Sequence, residues 1–321
     1  MHARRALITG ISGFAGSHLA QHLLSSQNYR VFGTYLTDKS LENVRHIKDK
    51  IELIQLDLTD QKRTYSFIRS IKPDVVFHLA AIPSVGASFQ DPLNTIVNNI
   101  AVQINLLEGI RQANLGNCKI LIVSSADVYG MVKKDELPIS EETPFRPTNS
   151  YAVSKITQDF LGLQYGLAYN FFIIRVRPFN HIGPKQQGGF VVADFARKIA
   201  EIERGKGSGA LMVGDLRPKR DFTDVRDIVR AYTLLMEKGK PGEAYNVGSG
   251  VSYAISDILR MLLSFSSASI TVKEDSSLIR PGDSFDRECD NAKIYKDTAW
   301  KPIIPIEQSL KDTLDYWRKI V

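Results

Sequence analysis

Short apolar runs alternate with amphipathic stretches along much of the chain. In the amphipathic stretches the apolar positions recur at helical spacing, as at Ile100, Ile104 and Leu107. Buried strands are predicted at residues 6–8, 29–35, 51–58, 74–79, 120–125, 171–176 and 244–247. Helices are predicted at residues 17–24, 98–114, 151–169, 190–205 and 224–235. Strands that alternate with helices are typical of an α/β protein with a doubly wound parallel sheet.

Three glycines follow the first strand. Gly10, Gly13 and Gly16 form a GxxGxxG pattern, and a helix begins directly after it. Gly10 permits a tight turn, Gly13 lets a pyrophosphate approach the backbone, and Gly16 lets the helix pack close to the sheet. The free N–H groups at the start of the helix then face the phosphates. The pattern predicts a dinucleotide-binding site, and the alternative is a glycine-rich turn in an unrelated α/β protein.

The ends of the next strands indicate how a dinucleotide would lie. The second strand ends near Thr34, where an acid would favour a free ribose 2′-hydroxyl. No acid or arginine stands there, and Lys39 is the nearest cation that can meet a 2′-phosphate. The sequence therefore favours NADP(H), with NAD(H) possible. Asp57 and Leu58 would lie beside the adenine, although Asp57 fits a helix cap equally well.

Tyr151 and Lys155 form a YxxxK pair at the start of a predicted helix. Four residues are about one helical turn, so the phenol and the ammonium share a face. A nearby ammonium favours the phenolate, and we expect it to lower the tyrosine pKa. Such a tyrosine can exchange a proton with a sugar oxygen while hydride moves at the same carbon. Lys155 can also hold the nicotinamide ribose.

The fifth predicted strand ends in Ser124 and Ser125. The Ser125 hydroxyl is expected to hydrogen-bond the reacting oxygen, while Ser124 packs inward. Asp127 lies two residues further on, and it can be a proton donor, a substrate ligand or a turn residue. His78, at the end of the fourth strand, is interpreted as a core histidine without a chemical role.

Composition and charge exclude several classes of protein. The 321 residues carry a net charge of +6, but the basic residues are scattered, which argues against a nucleic-acid-binding protein and favours anionic small molecules. Two cysteines suit neither a disulfide framework nor a metal site. No apolar run reaches membrane-spanning length, so a cytoplasmic enzyme without a membrane partner is expected.

The motifs together resemble an extended short-chain dehydrogenase/reductase of the nucleotide-sugar branch. The resemblance covers nearly the whole chain, and the GDP-mannose group is the most similar. It rests on TGISGFAGSHL (9–19), DLTD (57–60), HLAA (78–81), SVGASFQDP (84–92), SSADVYG (124–130), YAVSK (151–155), RPFNHIGP (177–184), KRDFTDVRDIVRAY (219–232), YNVGSG (245–250) and RPGD (280–283).

The resemblance implies a two-part organisation. A Rossmann-type domain would cover residues 1–178 and the returning segment 224–248. A smaller C-terminal substrate-binding lobe would comprise residues 179–223 and 249–321. The proline-rich loop at residues 138–147 is expected to border the active site. A homodimer through a four-helix bundle of residues 98–114 and 151–169 is also implied, although these apolar faces suit a core equally well.

The resemblance also implies the site residues, in three groups. The catalytic set is Ser125, Tyr151 and Lys155, with Asp127 beside it. The coenzyme would contact Gly10, Ser12, Gly13, Phe14, Ala15, Gly16, Thr34, Lys39, Asp57, Leu58, Leu79, Ala80, Ala81, Asn98, Tyr151, Lys155 and Pro178. The GDP-sugar would contact Ser84, Ser88, Ser125, Asn180, Val191, Arg220 and Arg280. His181 is expected to shape its loop, and no metal is expected.

The implied reaction is reduction of the C4 ketone of GDP-4-keto-6-deoxy-D-mannose to GDP-D-rhamnose. In the related 4,6-dehydratases a glutamate stands where this chain has Asp127, one methylene shorter, which favours the reductase. A GDP-mannose 4,6-dehydratase and a nucleotide-sugar 4-epimerase are the alternatives. A non-catalytic NAD(P)-binding regulator is disfavoured, because Ser125, Tyr151 and Lys155 are all present. Leu36 stands where relatives that use NADPH often carry arginine.

Overall fold

A computed structural model of the chain describes residues 3–206, 209–278 and 286–321. The strands are β1 (Arg4–Thr9), β2 (Tyr29–Tyr35), β3 (Glu52–Gln55), β4 (Val75–His78), β5 (Lys119–Val123), β6 (Phe172–Pro178), β7 (Asn180–Ile182), β8 (Ala210–Val213), β9 (Lys219–Asp224), β10 (Ala244–Val247), β11 (Ser252–Ala254) and β12 (Thr271–Glu274). The helices are α1 (Phe14–Ser25), α2 (Gln61–Ile71), α3 (Val85–Gln90), α4 (Pro92–Gln112), α5 (Ser150–Tyr169), α6 (Val191–Glu203), α7 (Val225–Lys238), α8 (Ile255–Ser264), α9 (Ala292–Thr298) and α10 (Ile306–Ile320).

Seven strands form one sheet in the order β3-β2-β1-β4-β5-β6-β10. Every adjacent pair in this sheet is parallel. The strand order reverses direction between β1 and β4, which places a crevice at the carboxyl ends of these two strands. The predicted doubly wound parallel sheet is therefore confirmed, and residues 244–247 return to it at the edge beside β6.

The sheet is buried on both faces, and this explains the apolar runs in its strands. Successive side chains of β1 point to opposite faces, so Ile8 packs in a cluster with helices α1 and α7 while Leu7 packs with α2, α4 and α5. Leu19 and Ile110 represent the helix sides of these two clusters and are fully buried. Helices on both faces leave the carboxyl edge of the sheet as the accessible part.

A second group of elements lies at that edge. Strands β7, β9 and β11 form a small mixed sheet, and β8 pairs with β12. Helices α6, α8 and α10 contribute Ile199, Leu259 and Leu310 to a separate apolar cluster. The described strands thus divide between the large sheet and these smaller ones, and the predicted division into two domains stays a prediction.

Two element boundaries differ from the predictions for local reasons. The third strand is shorter than expected and ends at Gln55, which leaves Asp57 and Leu58 in the following turn. Helix α4 begins at Pro92, because the Asp91 carboxylate caps it by accepting a hydrogen bond from the backbone N–H of Asn94 at 3.1 Å. In the described part of the chain no helix is long and apolar enough to cross a membrane.

Candidate active site

A cavity of about 1570 Å³ opens at the carboxyl edge of the large sheet, between that sheet and the second group of elements. It brings together most of the residues that the sequence singled out. Those that line it are Gly10, Ser12, Gly13, Phe14, Ala15, Gly16, Thr34, Asp57, Leu58, Leu79, Ala80, Ala81, Ser84, Asn98, Ser125, Asp127, Tyr151, Lys155, Pro178, Asn180, Val191 and Arg220.

Three predicted residues are not placed in the cavity. Ser88 is fully buried in α3, and its hydroxyl donates a hydrogen bond to the Val85 carbonyl at 2.8 Å instead of facing the cavity. Arg280 lies outside the described residues, and the side chain of Lys39 does too. By contrast, Ser84 lines the cavity while its hydroxyl caps α3 by accepting the backbone N–H of Ala87 at 3.1 Å.

The glycine loop leaves the start of α1 open to the cavity. Gly10 has a φ of +71°, and a Cβ on it would lie 3.1 Å from the Ala80 backbone. A Cβ on Gly16 would lie 2.3 Å from the Gly10 carbonyl oxygen. Gly13 is the N-cap of α1 and supplies no side-chain cap, so the N–H groups of the first turn are not capped by a side chain. This arrangement suits a pyrophosphate.

Thr9 joins the glycine loop to the neighbouring strand. Its hydroxyl accepts hydrogen bonds from the backbone N–H groups of Leu79 and Ala80, each at 3.1 Å, and is 2.9 Å from Nδ1 of His78. The end of β4 is therefore fixed against the glycine loop. Burial lowers the pKa of His78 to about 3, so its ring stays neutral, as expected for a core histidine.

The ends of β2 and β3 form the far end of the cavity. Thr34 is buried, and its carbonyl accepts the backbone N–H of Ile11 at 3.1 Å. The hydroxyls of Ser12 and Ser40 are hydrogen-bonded at 2.8 Å, and both residues line the cavity. Ser40 was not predicted, because no spacing rule marks it. The Asp57 carboxylate accepts the backbone N–H of Thr59 at 2.9 Å, so Asp57 has a turn role as well as a cavity position.

The YxxxK pair lies in the first turns of α5, which Asn149 caps by accepting the Ala152 N–H at 2.8 Å. The Lys155 ammonium donates a hydrogen bond to the Val123 carbonyl at 2.8 Å and lies 5.9 Å from the centre of the Tyr151 ring. Ser125, directly after β5, lines the same cavity as Tyr151 and Lys155. The three side chains predicted to be catalytic therefore meet where β5 ends and α5 begins.

Burial dominates the electrostatics of this trio. It raises the pKa of the Tyr151 phenol, the Asp127 carboxylate raises this pKa further, and the hydrogen bond from Ser125 opposes the rise. The expected lowering of the tyrosine pKa is therefore wrong for the protein alone, because removal of the phenol from water and the nearby Asp127 carboxylate both raise this pKa. Burial also lowers the pKa of Lys155 to about 7. Tyr151 consequently holds its proton at neutral pH.

The lowered lysine pKa predicts a pH-dependent stability. Between about pH 7 and 10 the unfolded chain holds the Lys155 proton more tightly than the folded chain, so the free energy of unfolding rises with pH. A Lys155→Met variant should lack this rise and be more stable than the wild type near pH 6, with the difference vanishing towards pH 10. Urea unfolding at several pH values measures this, with the exposed Lys311→Met as control. If the free energy of unfolding varies with pH in the same way in the wild type and in Lys155→Met, the prediction is contradicted.

An ion pair that the sequence did not predict crosses the cavity wall. The Arg287 guanidinium donates a hydrogen bond to the Asp127 carboxylate, and both residues line the cavity. Arg287 follows the RPGD segment by only a few residues, but it is separated from Asp127 by 160 positions. No local pattern marks such a pair.

The second group of elements closes the cavity opposite the glycine loop. His181 stacks on Phe14, with ring centres 5.7 Å apart and planes 8° from parallel. This contact agrees with a shaping role for His181. Arg220 is largely buried in β9. The sequence missed further lining residues here, including Lys198, Met212 and Arg217, which lie on α6, on β8 and in the following loop. Among the described residues, no cluster of acidic, histidine or cysteine side chains could hold a metal.

Residues 7–313 match the family described as GDP-mannose 4,6 dehydratase. One curated relative, the GDP-6-deoxy-D-mannose reductase of Pseudomonas aeruginosa, is 35% identical over 99% of this chain and 98% of its own length. The GDP-mannose 4,6 dehydratase 2 of Arabidopsis thaliana is 29% identical over 97% of this chain and 86% of its own length.

Solved structures agree over the whole fold. The structure of RMD from Pseudomonas aeruginosa complexed with NADPH has a TM-score of 0.86 and 33% identity, and covers 99% of this chain and 100% of that one. The UDP-glucose 4-epimerase of Thermus thermophilus in complex with NAD has a TM-score of 0.85 and 26% identity. The match covers 99% of this chain and 100% of that one. The resemblance stated from the motifs is thereby confirmed.

Proposed function

The chain belongs to the GDP-mannose 4,6-dehydratase family, and from this premise we propose that it reduces the C4 ketone of GDP-4-keto-6-deoxy-D-mannose to GDP-D-rhamnose. The observation that carries the proposal is the convergence of Ser125, Tyr151 and Lys155 in the wall of one cavity, which the open glycine loop also lines. A relative named for this reduction is 35% identical over nearly the full length of both chains.

The cavity fits a nicotinamide dinucleotide. Its pyrophosphate would lie at the first turn of α1, where no side chain caps the backbone N–H groups. Gly10 and Gly16 have no side chains to obstruct it. Thr34 and Ser40 would lie at the ribose end, where neither provides a carboxylate to repel a 2′-phosphate. NADP(H) is the favoured coenzyme, since a structural neighbour is complexed with NADPH, and NAD(H) remains possible because another is complexed with NAD.

When bound, the reduced coenzyme supplies the hydride, and the protein's residues manage the proton. Ser125 would hydrogen-bond the C4 carbonyl oxygen and hold it beside the phenol. Tyr151 would give this oxygen its proton as the alcohol forms. Lys155, close to the Tyr151 ring and at the start of α5, would stabilise the phenolate left behind, together with the positive end of the helix dipole.

The GDP part of the substrate would lie against the second group of elements. Asn180 and Arg220 line the cavity there, and a guanidinium provides planar, charged donors for phosphate oxygens. Val191 begins α6, whose N-cap residue, Phe190, makes no side-chain cap, so this first turn can also receive an anion. The roles of Ser84 and Arg280 toward the sugar and the phosphates stay predictions.

GDP-mannose 4,6-dehydratase is the second candidate, and family membership favours it. Dehydration needs an additional acid–base carboxylate to remove the C6 hydroxyl, and Asp127 stands in that place. Its carboxylate is already paired with Arg287, which weighs against this role. A 4-epimerase and a non-catalytic regulator are weaker candidates. The regulator is disfavoured because Ser125, Tyr151 and Lys155 are all present and line one cavity.

A coenzyme assay tests the function. Purified protein is mixed with GDP-4-keto-6-deoxy-D-mannose and either NADPH or NADH, and loss of the reduced-nicotinamide absorbance is compared with the amount of GDP-D-rhamnose formed. We expect one coenzyme oxidised per product molecule, and faster with NADPH. Conversion of GDP-mannose to a 4-keto-6-deoxy product without added reductant, with no coenzyme consumed from the ketone, would instead establish a dehydratase.

We also propose that two copies associate through α4 and α5. These helices pack on each other, and their outer faces expose Leu93 and Val97 on α4 and Val153, Phe160 and Leu167 on α5. Side by side, the two helices would form half of a four-helix bundle. Exposed apolar stripes of this kind mark protein interfaces.

A charge in the centre of this face should separate the copies. Light scattering of wild type is expected to give a dimer mass, and Phe160→Glu a monomer mass, because the buried carboxylate would lack a partner. Ile303→Glu, at an exposed apolar residue outside these helices, serves as control and should stay dimeric. A monomeric wild type, or a dimeric Phe160→Glu, would contradict the proposed interface.

A further inference from the structure

The segment carrying Arg287 is held between the two parts of the cavity wall. The backbone N–H of Arg287 donates to the Lys219 carbonyl at 3.2 Å, which ties the segment to β9. On the other side, the Glu288 carbonyl accepts the Ile139 N–H at 2.8 Å. The side chain of Arg287 is only 10% exposed. The guanidinium is therefore held by its own backbone in the place where it meets Asp127.

Asp127 is equally constrained. It lies in the first turn after Ser125, and its backbone N–H donates to the Ser125 hydroxyl at 3.1 Å. The charged or titratable groups that face this corner are Asp127 itself, Tyr151 and Lys155 from α5, Tyr232 from α7 and Arg287 from the C-terminal segment. Of these groups, Arg287 forms an ion pair with the Asp127 carboxylate.

We propose that Arg287 is a specificity-determining residue, because it occupies the oxygens of the Asp127 carboxylate and so denies the site the second acid–base group that elimination of a sugar hydroxyl requires. This role rests on the reductase function proposed above. A guanidinium hydrogen-bonded to a carboxylate occupies its oxygens. A carboxylate held in this way is not free to take a proton from the sugar and pass it on.

The two reactions differ in their demand for that proton. Ketone reduction needs one proton at the C4 oxygen, which Tyr151 supplies. Dehydration of GDP-mannose is redox-neutral overall. Oxidation of C4 gives up a hydride and the 4-hydroxyl proton, and elimination then removes the C5 proton and the C6 hydroxide as water. The hydride returns to C6 and a proton in the amount lost from the 4-hydroxyl returns to C5, so the coenzyme ends as it began. A carboxylate at position 127 with free oxygens could take the C5 proton and pass it to the departing C6 hydroxide.

Four variants separate this role from a structural one. Arg287→Met removes the charge and keeps the length, and Arg287→Lys keeps the charge. The double variant Asp127→Asn with Arg287→Met removes the acid as well. Arg318→Met breaks the Arg318–Glu203 ion pair, which is partly buried outside the cavity, and serves as the matched control. Each is first checked for folding by NADPH binding.

The main measurement is the rate at which each variant converts GDP-mannose to a dehydrated product in the presence of NADP⁺. The product is detected by mass spectrometry. We expect Arg287→Met to exceed wild type by on the order of a hundredfold, the range of a positioned general acid. Wild type, Arg287→Lys, Arg318→Met and the double variant should stay at background.

The outcomes are distinguishable from failure of the proposed function. If wild type reduces the ketone but Arg287→Met loses no water, or if the double variant loses water as fast as Arg287→Met, the role of Arg287 is wrong and the function stands. A wild type that itself dehydrates GDP-mannose contradicts both. If Arg287→Met does not bind NADPH, Arg287→Gln, which keeps a donor without the charge, decides the question by the same criteria.

Discussion

Replacement of Tyr151 by phenylalanine is expected to lower the rate of ketone reduction by about a thousandfold, within the range of a positioned general acid. The hydroxyl is the only group removed, so Ser125 can still hydrogen-bond the carbonyl oxygen and Lys155 keeps its bond to Val123. The forming alkoxide would have to take its proton from water. Single-turnover reduction of GDP-4-keto-6-deoxy-D-mannose with NADPH measures the effect on the chemical step.

Coenzyme affinity identifies the cause of the loss. Tyr151→Phe should bind NADPH within about tenfold of wild type, because one hydroxyl contributes about 0.5 to 1.5 kcal/mol. Tyr165→Phe is the matched control, since the Tyr165 hydroxyl is hydrogen-bonded to Glu108 at 2.8 Å and Tyr165 does not line the cavity. A Tyr151→Phe variant that keeps about a tenth or more of the wild-type rate would show that Tyr151 is not the proton donor.

Gly16→Ala is expected to have the second large effect, on coenzyme binding. The added Cβ would lie 2.3 Å from the Gly10 carbonyl oxygen and 2.9 Å from the Ile11 Cα, and both are backbone atoms that cannot swing aside. The loop and the start of α1 must therefore move apart, at a cost of about 1 to 3 kcal/mol. The same shift disturbs the N–H groups aimed at the pyrophosphate, so NADPH affinity should fall by about a hundredfold, as titration by fluorescence would show.

Gly116→Ala is the control for this substitution. No atom lies within 4 Å of the Cβ that it would add, so its unfolding free energy should stay within about 0.5 kcal/mol of wild type and its NADPH affinity unchanged. Gly16→Ala protein that binds NADPH as tightly as the Gly116→Ala protein would show that the close packing at Gly16 does not shape the coenzyme site.

Much of the fold followed from local patterns. Strand β4 is buried on both faces, so its residues form a continuous apolar run. Helix α4 is buried on one face, so its apolar residues recur at helical spacing. Both patterns predict the element at its observed place in the chain. The predictions were less accurate at the ends of helices and strands, because a single hydrogen bond can decide where an element begins or ends. The cap at Asp91 extended α4 by six residues toward its N-terminus, from the expected residue 98 to Pro92.

The candidate site divided along a similar line. Gly10, Gly13, Gly16, Tyr151 and Lys155 were found from short-range spacing, since each group acts within one loop or one helical turn. Ser88, carried over from the resemblance, is turned into its own helix. Its hydroxyl donates a hydrogen bond to the Val85 carbonyl. The direction of this side chain depends on how α3 is rotated about its axis, which the sequence motif does not specify.

By itself the sequence determined the parallel sheet, the glycine loop and the placement of Tyr151 and Lys155 on one helix face, because period, turn chemistry and one-turn spacing are properties of neighbouring residues. Only the tertiary structure decided the rest. It raised the pKa of Tyr151, since burial depends on what packs around the phenol. It also paired Asp127 with Arg287 across 160 positions, because charges far apart in the chain meet only when the C-terminal segment folds against the end of the sheet.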